Sequence, residues 1–313
     1  MGQGKGYGKT ILFGEHFVVY GFKAIASAIG DCTKAKTEKG SKGKGIELVD
    51  NRPAVEGYKV KKQREINDSL DLIFKFLKID LKKNPVKITL SGNLECASGI
   101  GASAALAASV ARALNQDFNL GLNEEQINEV AYEGEKASAG NPSGIDNTAS
   151  VFGGLLVFQK NLEGGKNLIE RLSIKKPIEI VLANSKITQD TKEVVSDVKR
   201  FKEEDEERFQ KILNEYQKVF DEGLKALKNY DLRKLGELMN KNQELLARAT
   251  ITCSTVEEMI SIAKKEGAFG AKQTGTGRGG LVICLTPGKE LQEKVAEALE
   301  KKGFPVMKTV IGV

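Results

Sequence analysis

Apolar positions along the chain alternate between two periods, and the switches between them predict a mixed set of strands and helices. The run TILFGEHFVVYG (10–21) is apolar but broken by Gly-Glu-His, which predicts two short strands around a tight turn. IASAIG and AKTEKG follow in strand period, and GIELVD (45–50) predicts a further short strand. KGSKGKG (39–45) between them predicts a flexible basic loop. Over 64–78 the period changes: Ile66, Leu70, Ile73, Phe74 and Leu77 fall on one face of an amphipathic helix. VKITLSGNL returns to alternation and predicts a strand. SGIGASAALAASVARALN then leads from glycines into an alanine-rich helix of high propensity. Asn123 with Gln126 three residues on marks the N-terminus of the next helix.

GNPSGIDNTAS (140–150) predicts turns, and VFGGLLVFQK (151–160) a strand with an internal glycine pair. Beyond Asn161 the composition shifts. NLEGGKN predicts a loop and IEIVLANS a strand, and 188–265 is mostly helical and heavily charged. The charge run from Lys202 to Arg208 fits the solvated face and first turn of a long helix. Mixed elements close the chain: FGAKQTGTGRGGLVICL, a helix over 289–302, and the strand PVMKTVIGV. The shift in composition divides the chain near residue 170, into 1–170 and 171–313.

With 313 residues the chain is long for a single core and comfortable for two. Its 40% hydrophobic and 29% charged residues are the balance of a soluble globular protein. No stretch approaches the length of a membrane span, and MGQGKGYGK has no apolar core of a secretory signal, so a cytoplasmic protein without membrane association is expected. The four cysteines lie far apart with no Cys-x-x-Cys pair, which argues against a zinc site and for reduced thiols. The net charge of +6 is spread along the chain, and tryptophan is absent; neither favours nucleic acid, whereas an anionic small substrate fits. His16 is the only histidine, so a general base other than His16 must be Asp, Glu, Lys, Tyr or Cys.

Four stretches could carry chemistry. Ser98-Gly99-Ile100-Gly101-Ala102-Ser103 precedes a helix: glycine admits close approach of a ligand, first-turn N–H groups bind anions, and a serine hydroxyl can ligate Mg²⁺. Taken alone, that entry is more simply a structural turn, and the P-loop pattern is absent. Gly275-Thr276-Gly277-Arg278-Gly279-Gly280 ahead of LVICL fits either a hairpin or a loop crowding a ligand. Asp146 stands in a turn-rich segment, and Glu135 near the end of the preceding helix, where a carboxylate is disfavoured unless a cation is close. Lys9 precedes TILF, with Glu15 and His16 just beyond.

The order of these stretches is more telling than any one of them. GYGKTILFGEHFVVYG, SGIGASAA, EGEKASAGNPSGIDNTAS with FGG, and GAKQTGTGRGGL together resemble the motif series of the GHMP small-molecule kinases. Within that superfamily GEHFVVYG and NPSGIDN resemble the mevalonate-phosphorylating branch. VDNRPAVEGY (49–58), SGIGASA and GTGRGG are similar to its kinetoplastid protozoan members. The likeness runs from about residue 6 to residue 286. Tyr7, Ala102 and Arg278 depart from the wider family, which has proline, serine and glycine there, but recur in the protozoan-like branch.

The resemblance implies an α+β fold of two domains. The N-terminal one is like ribosomal protein S5, and the C-terminal one has a split βαβ (ferredoxin-like) sheet with extra helices. It implies ATP-dependent phosphorylation of the C5 hydroxyl of mevalonate in isoprenoid precursor biosynthesis, with ATP and substrate in an interdomain cleft. Carried over residue by residue, Asp146 is the catalytic base and Lys9 its partner. Ser103 and Glu135 are Mg²⁺ ligands. Ser98, Gly99, Ile100, Gly101, Ala102, Ser103, Gly275, Thr276 and Gly277 bind the nucleotide. Glu15, His16, Ser143, Thr191 and Lys192 fall on substrate positions, and Lys192 and Arg278 are candidates for the substrate carboxylate. Homodimers are common in the family. Another GHMP kinase, acting on phosphomevalonate, homoserine or a sugar, and a non-catalytic nucleotide binder share the fold; retention of both Lys9 and Asp146 argues against the second.

Overall fold

The computed structural model describes residues 1–313 except Ser98, residues 188–190 and Thr276, with the side chains of Ala139, Thr191 and Lys192 likewise left out. The chain forms two compact units, neither contiguous in sequence. The first comprises residues 1–9 and 28–153, the second 10–27 and 154–313. Two strands, β1 (Gly2–Phe13) and β2 (Lys23–Lys39), pass from one unit into the other. The sequence places a boundary near residue 170, whereas the second of the two compact units resumes at Gly154. The segment after it pairs with Lys23–Ser27, which lies in the second unit.

In the first unit β4 (Val86–Gly92) lies between β2, to which it is antiparallel, and β3 (Ile46–Asp50), to which it is parallel. Among the described residues this unit holds four helices: α1 (Tyr58–Phe76), α2 (Ala102–Asp117), α3 (Glu124–Ala139) and α4 (Ile145–Phe152). Helix α2 is alanine-rich because it is buried nearly all round: Ala104, Ala105, Ala107, Ala108 and Ala111 are fully enclosed, and small side chains let neighbours approach closely. Leu70, Ile73 and Phe74 of α1, Ile88 and Leu90 of β4, and Val130 of α3 pack into the same core.

Helix α3 opens on a capping box: Asn123 Oδ1 accepts from the Gln126 N–H at 2.9 Å, and Gln126 Oε1 accepts from the Asn123 N–H at 3.0 Å. Asn123→Ala removes one acceptor of this reciprocal pair. It is expected to lower stability by about 1 kcal/mol, read from urea unfolding with an unchanged m-value.

The second unit contains a hairpin, β5 (Leu155–Gln159) with β6 (Leu168–Leu172), and β5 pairs in turn with Lys23–Ser27 of β2. It further contains β7 (Ile178–Asn184), helices α5 (Thr191–Glu204), α6 (Glu206–Asn229), α7 (Leu232–Arg248) and α8 (Ser254–Lys265), strands β8 (Gly270–Thr274) and β9 (Leu281–Leu285), helix α9 (Lys289–Lys301) and β10 (Val306–Ile311). β10, β7, β9 and β8 are neighbours in that order, all antiparallel. Val181, Val256, Met259, Val282, Cys284, Val295 and Leu299 form the core between this sheet and α8 and α9. Glycine is required where α7 crosses β8: a Cβ on Gly236 would lie 2.2 Å from the Phe269 carbonyl.

Three sequence expectations change here. HFVVYG is a single 3₁₀ turn, Phe17–Tyr20, ended by Gly21 at φ +82°, rather than a strand; Phe17 stacks on Tyr216 with centroids 4.2 Å apart. IASAIG and AKTEKG are halves of one seventeen-residue strand. NPSGIDNTAS is mostly helix α4, started by Gly144 at φ +90°. All four cysteines are free thiols. Among the described residues no helix is long and apolar enough to cross a membrane.

Candidate active site

The first unit gathers most of the residues singled out in the sequence. Lys9 sits at the point where β1 leaves this unit, and its N–H donates to the Ile100 carbonyl at 2.8 Å, tying the strand to the glycine-rich loop. The loop turns on two glycines in the left-handed region, Gly99 at φ +91° and Gly101 at φ +70°. Gly101 is constrained twice over, since a Cβ there would also lie 2.9 Å from Lys9 Cγ. It is the N-cap of α2, and no side chain caps the helix, so the first-turn N–H groups of Ala102 and Ser103 carry the positive end of the helix dipole without a side-chain acceptor. A helix N-terminus of this kind suits an anion.

The Lys9 ammonium is buried. It lies 3.3 Å from Asp146 Oδ1 and donates to the Gly99 carbonyl at 3.4 Å. Asp146 is in the first turn of α4, placed there by Gly144, and its side chain remains 38% exposed, open to a reactant. Ser143 Oγ accepts from the Ile145 N–H at 3.3 Å, so this serine shapes the turn into α4.

Glu135, on the last turns of α3, is buried, and its Oε1 has no hydrogen-bond partner. Burial first, and then the neighbouring Asp146 carboxylate, push its pKa up to about 7, against the pull of a hydrogen bond from Ser103 and of the Lys9 charge. A partnerless carboxylate oxygen beside a serine hydroxyl is a hard-oxygen donor set, which fits Mg²⁺. Among the described residues no group of three or more His, Cys, Asp or Glu could hold a metal. The pair therefore suits an ion whose remaining ligands come from phosphate and water.

The raised pKa has a measurable consequence. A carboxyl group that binds its proton more tightly folded than unfolded supports the fold at low pH. It loses that support as pH rises from about 4.5 to about 7, here by about 3 kcal/mol at most. Glu135→Gln is expected to flatten the metal-free stability profile between pH 5 and 8, as measured by urea midpoint, and to weaken the Mg²⁺ dependence of turnover.

The second unit holds the other candidates. Glu15 and His16 follow β1 and are both buried. Both oxygens of Glu15 are engaged: Oε1 accepts from Lys272 Nζ, and Oε2 from Asn242 Nδ2 at 3.3 Å. Its side chain and that of Lys272 are wholly enclosed. Glu15 thus serves a buried ion pair rather than presenting a free carboxylate. Burial drives the Lys272 pKa down, against the opposing effect of Glu15. Lys272 and Asn242 were not anticipated; the one available signal was a charged residue, Lys272, inside the short strand GAKQT.

Gly275 and Gly277 both adopt φ +86°, and a Cβ on Gly277 would meet Ile251 Cγ2 at 2.4 Å. Arg278 donates from Nε to the Thr250 carbonyl at 2.9 Å and pairs through Nη1 with Asp197 Oδ2 of α5 at 2.5 Å. Its guanidinium is thus committed to partners within its own unit. Ser98, Thr276 and the side chains of Thr191 and Lys192 lie outside the described residues.

A glycine-rich helix entry beside a buried lysine paired with a partly exposed aspartate fits the layout of a phosphotransferase. Residues 68–154 match the GHMP kinases N terminal domain and residues 224–305 the GHMP kinases C terminal domain, which sets the class as a GHMP kinase. The mevalonate kinase of Thermococcus gammatolerans is 33% identical over 97% of this chain and 94% of its own, and that of Pyrococcus furiosus 32% over 97% and 94%. The crystal structure of L. major mevalonate kinase in complex with R-mevalonate superposes with a TM-score of 0.94 at 33% identity, over 99% of this chain and 96% of the other. The chain belongs to the mevalonate kinase family.

Proposed function

We propose that this protein transfers the γ-phosphoryl group of ATP to the C5 hydroxyl of mevalonate, giving 5-phosphomevalonate and ADP. Family membership supports the reaction. The observation that carries the site is the Lys9–Asp146 pair, 3.3 Å apart, beside the carbonyl of Gly99 in the glycine-rich helix entry.

Phosphoryl transfer asks for alignment and charge neutralisation more than for covalent help. The N–H groups of Ala102 and Ser103 at the head of α2 hold phosphate oxygens. Lys9 performs two tasks: it offsets charge on the γ-phosphoryl group, and, 3.3 Å from Oδ1, it holds the Asp146 carboxylate in place. Asp146 accepts the proton of the substrate hydroxyl as that oxygen bonds to phosphorus. The Ser103 hydroxyl and Glu135 Oε1 would hold Mg²⁺, which, when bound, spreads the negative charge of the phosphates. Thr191, Lys192, His16, Gly275 and Thr276 are proposed to complete the substrate and nucleotide contacts.

A coupled ADP-release assay over a panel of mevalonate, phosphomevalonate, homoserine and galactose tests the acceptor. Turnover with mevalonate exceeding the others by orders of magnitude is expected. Preference for another acceptor would reassign the substrate while leaving the phosphate chemistry intact.

A further inference from the structure

The segment VDNRPAV (49–55) has no part in the chemistry just described, yet it grips the phosphate loop on both sides. Ahead of the loop, the Cys96 N–H donates to the Pro53 carbonyl at 2.8 Å, and the Val55 N–H donates to the Cys96 carbonyl at 3.1 Å. Ala54 and Cys96 form an isolated parallel β-bridge. Beyond the loop, Arg52 Nη1 reaches the Ala102 carbonyl in the first turn of α2 at 3.5 Å. The guanidinium is itself fixed: Nε donates to Asp50 Oδ1 at 2.9 Å and Nη2 to Asp50 Oδ2 at 2.6 Å, a two-pronged pair. The Arg52 N–H also donates to Asp50 Oδ1, at 3.1 Å, and Lys59 Nζ donates to the Asp50 carbonyl at 2.8 Å. The Arg52 side chain is 1% exposed.

The position of this cation is poorly explained by stability alone. A positive charge near a helix N-terminus opposes the helix dipole. Burying a guanidinium with its carboxylate is in general no better than filling the space with apolar side chains. The loop it borders turns on two left-handed glycines, and its other tethers among the described residues both come from Lys9, through the N–H to Ile100 and through Nζ to the Gly99 carbonyl. Such a loop has backbone freedom to lose when it closes on phosphates, and that loss weakens binding.

We infer that Asp50 and Arg52 are positioning residues: the segment clamps the loop at Cys96 and at Ala102, so that the Gly99–Ser103 amides are already aimed when the triphosphate arrives. Arg52 acts through the loop backbone, not on the substrate. The inference rests on the phosphotransferase reading only for where the phosphates sit.

The test compares Arg52→Met, Asp50→Asn and the double variant with wild type. Each is titrated with the fluorescent nucleotide mant-ATP in the presence of Mg²⁺ and assayed for the KM of ATP and of mevalonate. A rise of about tenfold or more in nucleotide Kd and ATP KM is expected in each single variant, with mevalonate KM within about twofold of wild type. The double variant should be no worse than Arg52→Met, because once the guanidinium is gone Asp50 has nothing left to orient. Arg52→Lys should recover little, since an ammonium cannot make the two-pronged pair and reach Ala102 at once. Unchanged nucleotide affinity in folded Arg52→Met, or equal rises in both KM values, would overturn the clamp. If Arg52→Met does not fold, Asp50→Asn decides alone, because it retains the shape of the pair. The titration needs no acceptor, so a wrong substrate assignment shows in the assay and leaves the mant-ATP comparison standing.

Discussion

Asp146→Asn is expected to lower kcat with mevalonate by about 10²–10⁴-fold while leaving mant-ATP affinity within about threefold of wild type. The amide keeps the size of the carboxylate and can still lie beside Lys9, but it cannot take the hydroxyl proton. The loss should therefore fall on the chemical step. The helix entry proposed to hold phosphate is built from Gly99, Gly101 and the first turn of α2, none of which carries a charge set by residue 146. A modest gain in nucleotide affinity is consistent with the account, because one negative charge near the phosphates is removed. Rapid-quench measurement of a single turnover separates this outcome from slowed product release. Near-normal turnover in this variant would remove Asp146 from the base role.

Lys272→Met is expected to be the most damaging single change to stability, by about 3–5 kcal/mol. It strands the Glu15 carboxylate in a site where the side chain has no exposure, with Asn242, among the described residues, left to donate to it. The combined change Glu15→Gln with Lys272→Met should recover most of the loss, because no buried charge then remains. Glu15→Gln alone should cost less than Lys272→Met. Burial already drives the Lys272 pKa down, so the lysine can shed its proton. That variant binds fewer protons folded than unfolded, so its stability should rise with pH up to the usual lysine range. Urea midpoints at pH 7 and pH 9 read both effects. Additive losses in the double variant would show that the two side chains are not coupled.

The first unit's site was legible in the sequence because its parts carry local signals. Glycines before an alanine-rich stretch announce a left-handed turn and a helix N-terminus, and Gly99 and Gly101 are indeed at positive φ. Asn123 and Gln126 announce their capping box in the same way. Elements shorter than a few turns were harder. Gly, Pro, Ser and Asp in NPSGIDNTAS are turn formers, yet Gly144 begins a helix and Asp146 sits in its first turn, so turn chemistry there is helix initiation. HFVVYG has the β-branched residues of a strand, but Phe17 is captured by Tyr216, some two hundred residues away, in a 3₁₀ turn. Strand β6 was not anticipated, since most of its residues are exposed or half-buried and it shows no apolar run. Glu15 looked like a ligand residue by motif, and only its partners, Lys272 and Asn242, reveal its ion pair; no local pattern links residues 15, 242 and 272.

The most direct test of phosphoryl transfer by this chain is a ³¹P NMR time course with ATP, Mg²⁺ and mevalonate. The γ-phosphate signal should fall in step with growth of one phosphomonoester signal coupled to the C5 protons, with ADP produced in equal amount. A γ-phosphate released only as inorganic phosphate, or one that persists while mant-ATP binds normally, would contradict the account.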